Sequence, residues 1–127
     1  MRWFYAFDPG ARVRTSDLLA RIGAAIELVA VMFNLFLAFV WFISLIWVLV
    51  GLLWALLGLV VLVEGALALF VLIKGYSPVG IVGPLIGLVA SAFNFNFFFG
   101  DGIELIVLVL MIFALVLRGQ EDAAATS

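Results

Sequence analysis

Polar positions are so sparse along this chain that the gaps between them define its elements. From Leu28 to Val63 no residue is charged, and nearly every side chain is aliphatic or aromatic. About 20 apolar residues in a helix cross the ~30 Å hydrocarbon layer of a bilayer. A water-soluble fold of 127 residues has no interior that could hide such a run. The pattern predicts an integral membrane protein. Between Ile22 and Ile73 the only charges are Glu27 and Glu64. A single helix of that length would reach ~78 Å at ~1.5 Å per residue, so the segment must fold into a hairpin. The turn is placed between Ser44 and Gly51, with Gly51 as a left-handed terminator. Trp41, Trp47 and Trp54 bracket it, as rings do at a membrane–water interface.

Lys74-Gly75-Tyr76-Ser77-Pro78 marks the next loop, with Ser77 as an N-cap and Pro78 at the first helical position. A third span follows over 78–98, kinked in its first half by Pro84. Gly100-Asp101-Gly102 closes it, and Asp101 with Glu104 forms a capping box that opens a short fourth span over 102–117. The fold class is therefore all-α, with four transmembrane helices over 22–46, 51–73, 78–98 and 102–117. Residues 1–21 and 118–127 form tails on either side of this single membrane domain. With four spans, Arg2, Arg12, Arg14, Arg21, Lys74 and Arg118 share one side, which the positive-inside rule assigns to the cytoplasm. Both termini are then cytoplasmic, or interior in a virion envelope.

Helices in lipid associate through close contact of small residues and through interhelical hydrogen bonds. Span one offers Gly23, Glu27, Ala30, Asn34 and Ala38 on one face. Span two offers Gly51, Ala55, Gly58 and Gly65, and span three Gly80, Gly83, Gly87, Ser91 and Asn94. Span four has only Ala114 and reads as peripheral or lipid-facing. The bundle is expected to pack through the Gly/Ala/Ser faces of spans 1–3. Glu27, Asn34, Glu64 and Ser91 are the polar candidates within the membrane. Counted by rise per residue, Glu64 lies ~15 Å deep and Asn34 ~18 Å, so the two are expected to meet near Ser91. Glu27, at ~8 Å, is expected to reach water or Arg21.

Composition narrows the function classes. Hydrophobic residues make up 69% of the chain and charged ones 11%, and the net charge of −2 gives no reason to expect nucleic acid. Cys and His are both absent, which removes thiolate chemistry, disulfides and the usual haem ligand. The first 21 residues mix aromatics, four Arg, two Asp, Pro and Gly, unlike a cleavable signal peptide. Met1 to Phe7 packs aromatic residues beside Arg2, a pattern suited to lipid headgroups or a partner's groove. Phe93 to Phe99 loads the far end of span three with rings for lipid contact. No nucleophile–base pair, metal-ligand cluster or phosphate loop is legible, so neither catalysis nor a cofactor is expected. The leading expectation is a structural or accessory subunit of a larger membrane assembly, an energy-transducing complex or a virion membrane. It would have protein partners or form a homo-oligomer. The alternative is a small oligomeric transporter or channel that uses Glu64 and Asn34.

Overall fold

The structure is a computed structural model that describes residues 14–45 and 49–126. The aromatic N-terminal segment, Arg2, Arg12 and Trp47 lie outside the described residues. Helix α1 spans Thr15–Leu45, α2 Gly51–Lys74, α3 Val82–Phe93 and α4 Phe99–Thr126, and a 3₁₀ turn over Pro78–Ile81 leads into α3. Three of these helices are long and apolar enough to cross a membrane, and Pro78–Phe93 forms a shorter fourth. Among the described residues there is no strand. Helix α1 packs on α2 and α4, and α3 packs on the same two, so α1 and α3 face each other diagonally across a four-helix bundle.

Each connection has a local cause. Helix α2 ends where Gly75 takes φ 94° and its N–H donates to the Val71 carbonyl at 2.7 Å. Pro78 then opens the next helical segment as expected, but the Ser77 side chain makes no capping bond. Pro84 has no N–H to return to the Gly80 carbonyl; it lies in the first turn of α3, just after the 3₁₀ turn over Pro78–Ile81.

Helix α3 stops at Phe93, five residues before the expected end of the third span. Phe95 takes the left-handed conformation, φ 58°. Its N–H donates to the Ala92 carbonyl, and the Asn96 N–H donates to that of Ser91 at 2.8 Å. This pair of bonds is a Schellman ending built on phenylalanine rather than glycine. Asn96 then opens α4 by accepting the Gly100 N–H on its side-chain oxygen at 3.1 Å.

The fourth helix consequently runs to Thr126 and takes in residues expected to be a tail. Asp101 and Glu104 lie inside it and form no capping box. Nor is it peripheral, because Glu104, Val107, Met111 and Ala114 are all buried. At the other hairpin, Leu49 (φ 62°) makes the left-handed turn, while Gly51 is the buried first residue of α2. Gly51 is therefore not the terminator that its residue type suggested.

The two ends of the bundle differ in chemistry. At one end Asp17 joins three elements: its Oδ1 accepts the Tyr76 N–H at 2.8 Å and Arg118 Nη2 at 2.7 Å. Arg118 also lies 4.8 Å over the Tyr76 ring. Ser16 Oγ donates to Glu121 at 2.6 Å, Arg14 pairs with Asp122 at 2.9 Å, and Arg21 donates to the Leu72 carbonyl at 2.7 Å. At the other end α1 and α2 extend past the α3–α4 turn. There the Trp41 indole donates to the Asn94 carbonyl and the Trp54 indole to that of Phe93, each at 3.3 Å. Those are last-turn carbonyls of α3 that no helical N–H satisfies.

Candidate functional site

Three glutamates from three helices meet in the interior. Glu27 on α1, Glu64 on α2 and Glu104 on α4 each contribute a carboxylate oxygen to a set lying within 4.8 Å of one another. Their exposures are 1%, 0% and 0%. None of their six oxygens accepts a hydrogen bond from an N–H or hydroxyl group. Bringing three like-charged groups this close in an apolar interior is costly unless protons or a cation compensate them.

Glycines make room for the cluster. A Cβ built on Gly87 would fall onto the carboxyl carbon and both oxygens of Glu104. A Cβ on Gly83 would lie 3.9 Å from Glu27 Oε1. These two positions of the α3 stripe therefore face carboxyl groups rather than another helix backbone. Elsewhere the small-residue faces do serve packing: a Cβ on Gly65 would stand 3.1 Å from Val31, and one on Gly80 3.2 Å from both Val71 and Met111. Gly58 faces open space within 4 Å and makes no close contact.

Asn34 belongs to a separate polar layer. Its Nδ2 donates to Ser91 Oγ at 2.9 Å, and Asn94 Nδ2 donates to the Asn34 carbonyl at 3.1 Å and to its side-chain oxygen at 3.2 Å. The expected meeting of Asn34 with Ser91 is present, but the partners of Glu64 are the other two acids. Glu27, expected at the interface beside water or Arg21, is instead part of the buried centre. Arg21 turns to the Leu72 carbonyl.

Depth counted along each helix separately missed this arrangement for two reasons. Helix α1 begins at Thr15 rather than Ile22, which sinks Glu27 by nearly two turns. Glu104 had been assigned to a cap at the start of a short helix. A signal in the sequence does tie α3 to α1. Residues 21–34 and 81–94 share Gly23/Gly83, Ile26/Ile86, Leu28/Leu88, Val29/Val89, Ala30/Ala90, Phe33/Phe93 and Asn34/Asn94 at a constant offset of 60. The burial pattern is the same over 21–31 and 81–91. This stretch of α1 is thus repeated in α3 in both sequence and burial. In that alignment Glu27 corresponds to Gly87, the glycine against which the Glu104 carboxyl lies. The two asparagines that correspond bond to each other.

Apolar residues flank the centre on both sides, with Val31, Val61 and Ala90 forming a second buried cluster toward the α3–α4 turn. Toward the Asp17 end, Ala20, Ala24, Val71, Val107, Met111 and Ala114 form a continuous apolar plug. Toward the α3–α4 turn, the helix register places Ser91 one turn beyond Gly87 and Asp101 one turn beyond Glu104. A Cβ on Gly100 would lie 2.5 Å from Ser91 Oγ, so these two helices remain in close contact up to the turn. By fold and centre, the chain belongs to the class of small helical bundles with an interior carboxylate cluster. No family model, curated protein or solved structure matches it.

Proposed function

We propose that the protein is a small integral membrane carrier that takes up a proton or cation at the Glu27–Glu64–Glu104 centre. The observation that carries this reading is the convergence of three fully buried carboxyl groups with no N–H or hydroxyl donor. A purely structural tie needs one acid and one amide. Three acids drawn together inside an apolar bundle are a costly arrangement, and intramembrane acids are typically retained for ion or proton handling. Two features of the sequence reading give the frame. Three helices have spanning length and apolarity, and Arg14, Arg21, Lys74 and Arg118 cluster at the Asp17 end, which we place in the cytoplasm. Both ends of the chain are then cytoplasmic.

The test is flux across proteoliposomes, followed with a pH-sensitive dye inside and with a cation gradient. Glu64→Gln and Glu104→Gln should abolish flux while the fold survives, because Gln keeps the shape and cannot titrate. Undiminished flux in either variant would refute the proposal.

A second reading, an accessory subunit of a larger membrane assembly, is favoured by the apolar plug that closes the centre toward the Asp17 end. A fixed set of partners on purification from native membranes supports that reading, and a clean homo-oligomer supports the carrier. Neither reading assigns the chain a catalytic step.

A further inference from the structure

We propose that the Glu27–Glu64–Glu104 centre is a binding site for a hard divalent cation of the Mg²⁺, Mn²⁺ or Ca²⁺ class. The inference deepens the carrier reading by naming its cargo or resident ion. Three observations carry it independently of one another.

The first is dimensional. In an octahedral shell at about 2.1–2.4 Å, adjacent oxygens are separated by about 3.0–3.4 Å and opposite ones by about 4.2–4.8 Å. The three glutamate oxygens already lie within 4.8 Å of one another, one from each of three helices. Closing this set onto a metal requires the carboxyl groups to draw together within the cluster, each from its own helix.

The second is the state of the oxygens. All six are buried and accept no hydrogen bond from outside the cluster, so the carboxyl groups have only one another as partners. Neither Arg21 nor Arg118 serves them, since Arg21 donates to the Leu72 carbonyl and Arg118 to Asp17. A divalent ion would satisfy one oxygen from each carboxyl group and offset two of the three negative charges.

The third is the space cleared beside them. Gly87 leaves the volume into which the Glu104 carboxyl group fits, and Gly83 borders Glu27. The internal duplication sharpens this point, because Gly87 stands where the other copy has Glu27. A fourth acid at that position would collide with Glu104, so the unequal pair yields a three-ligand centre. Three ligands leave other coordination positions for water, as Mg²⁺ and Mn²⁺ sites usually do. The donor set is oxygen alone, in a chain without Cys or His, which suits hard cations rather than thiolate- or imidazole-seeking metals.

Mn²⁺ binding to the purified full chain in nanodiscs tests this, read by the loss of the free-ion electron paramagnetic resonance signal and by thermal stabilisation. The expected result is one saturable site per chain, a melting temperature that rises with Mn²⁺, and displacement by Mg²⁺ or Ca²⁺. Glu27→Gln, Glu64→Gln and Glu104→Gln should each weaken binding by at least the roughly 10–100-fold that loss of an outer-shell partner costs. Glu121→Gln and Asp122→Asn, at the far end of α4, should leave it unchanged. The wild-type titration stands alone if a Gln variant fails to fold: absence of saturable Mn²⁺ binding overturns the inference. Binding that survives all three interior substitutions overturns it as well. Mn²⁺ binding without any flux leaves the inference standing and removes the carrier reading. Proton flux without Mn²⁺ binding does the reverse.

Discussion

Gly87→Ala is the smallest perturbation that reports on the centre. The added methyl group lands on the Glu104 carboxyl group, which is fully buried and cannot swing into solvent. Forcing a methyl into a filled interior costs about 1–3 kcal/mol. Alanine is a better helix former than glycine by roughly 0.5–1 kcal/mol, which offsets part of that. A net loss of about 1–2 kcal/mol is therefore expected. Gly58→Ala, where a Cβ meets nothing within 4 Å, keeps only the propensity gain. The two variants should differ by ~2 kcal/mol, about thirtyfold in the folding equilibrium. Reversible unfolding in mixed micelles, followed by tryptophan fluorescence, resolves a difference of this size. A double-mutant cycle assigns the cause: in a Glu104→Ala background the Gly87→Ala penalty should vanish, giving a coupling of about 1–2 kcal/mol. Equal stability of Gly87→Ala and Gly58→Ala would refute the reasoning, and so would a penalty unchanged in the Glu104→Ala background.

The remaining expectations concern the two ends and the asparagine layer. Asp17→Ala leaves Arg118 and the Tyr76 N–H without their shared acceptor and should lower stability by about 2 kcal/mol in the same unfolding assay, the range for a charge-assisted bond; a loss below a few tenths would show that the cluster is not a clasp. Asn34→Leu removes the bond to Ser91 and one of the two from Asn94, and should cost about 1–2 kcal/mol by the measured worth of interhelical bonds in membranes. Stability equal to wild type would contradict it. Because the chain has no native Cys, Phe98→Cys and Asp122→Cys can be labelled separately in intact vesicles. Residue 98 is 98% exposed at the α3–α4 turn, so an impermeant thiol reagent should reach the two positions from opposite sides. Labelling of both from one side would refute the four-span topology.

The helical class and the Lys74–Pro78 loop were legible because apolar runs and their lengths depend on local composition. Lys74 to Pro78 reads as a loop from Gly75 and Pro78 alone. The α3–α4 turn does not, because its left-handed residue is Phe95 and the α1–α2 turn likewise uses Leu49. Where tertiary packing selects such a residue, glycine-based rules point elsewhere, as they did for Gly51. Glu27, Glu64, Asn34 and Ser91 were legible as polar positions in apolar runs and are buried, whereas Glu104 was not. Their grouping was not. It depends on how α4 is set against α1 and α2, and one misplaced helix start moved Glu104 out of the interior. The repeat at an offset of 60 aligns Asn94 with Asn34 and ties α3 to α1, but it does not reach Glu104.

Whether the three glutamates form one interior centre is tested most directly by infrared difference spectroscopy. Spectra of the membrane-embedded protein are recorded between two pH values, for wild type and for Glu27→Gln, Glu64→Gln and Glu104→Gln. Carboxyl groups within 4.8 Å of one another lie in one another's electric field in a low-dielectric interior. Each single substitution should therefore shift the carboxyl bands of the two acids that remain. Three independent bands, each removed by its own substitution and leaving the other two unmoved, would contradict the account.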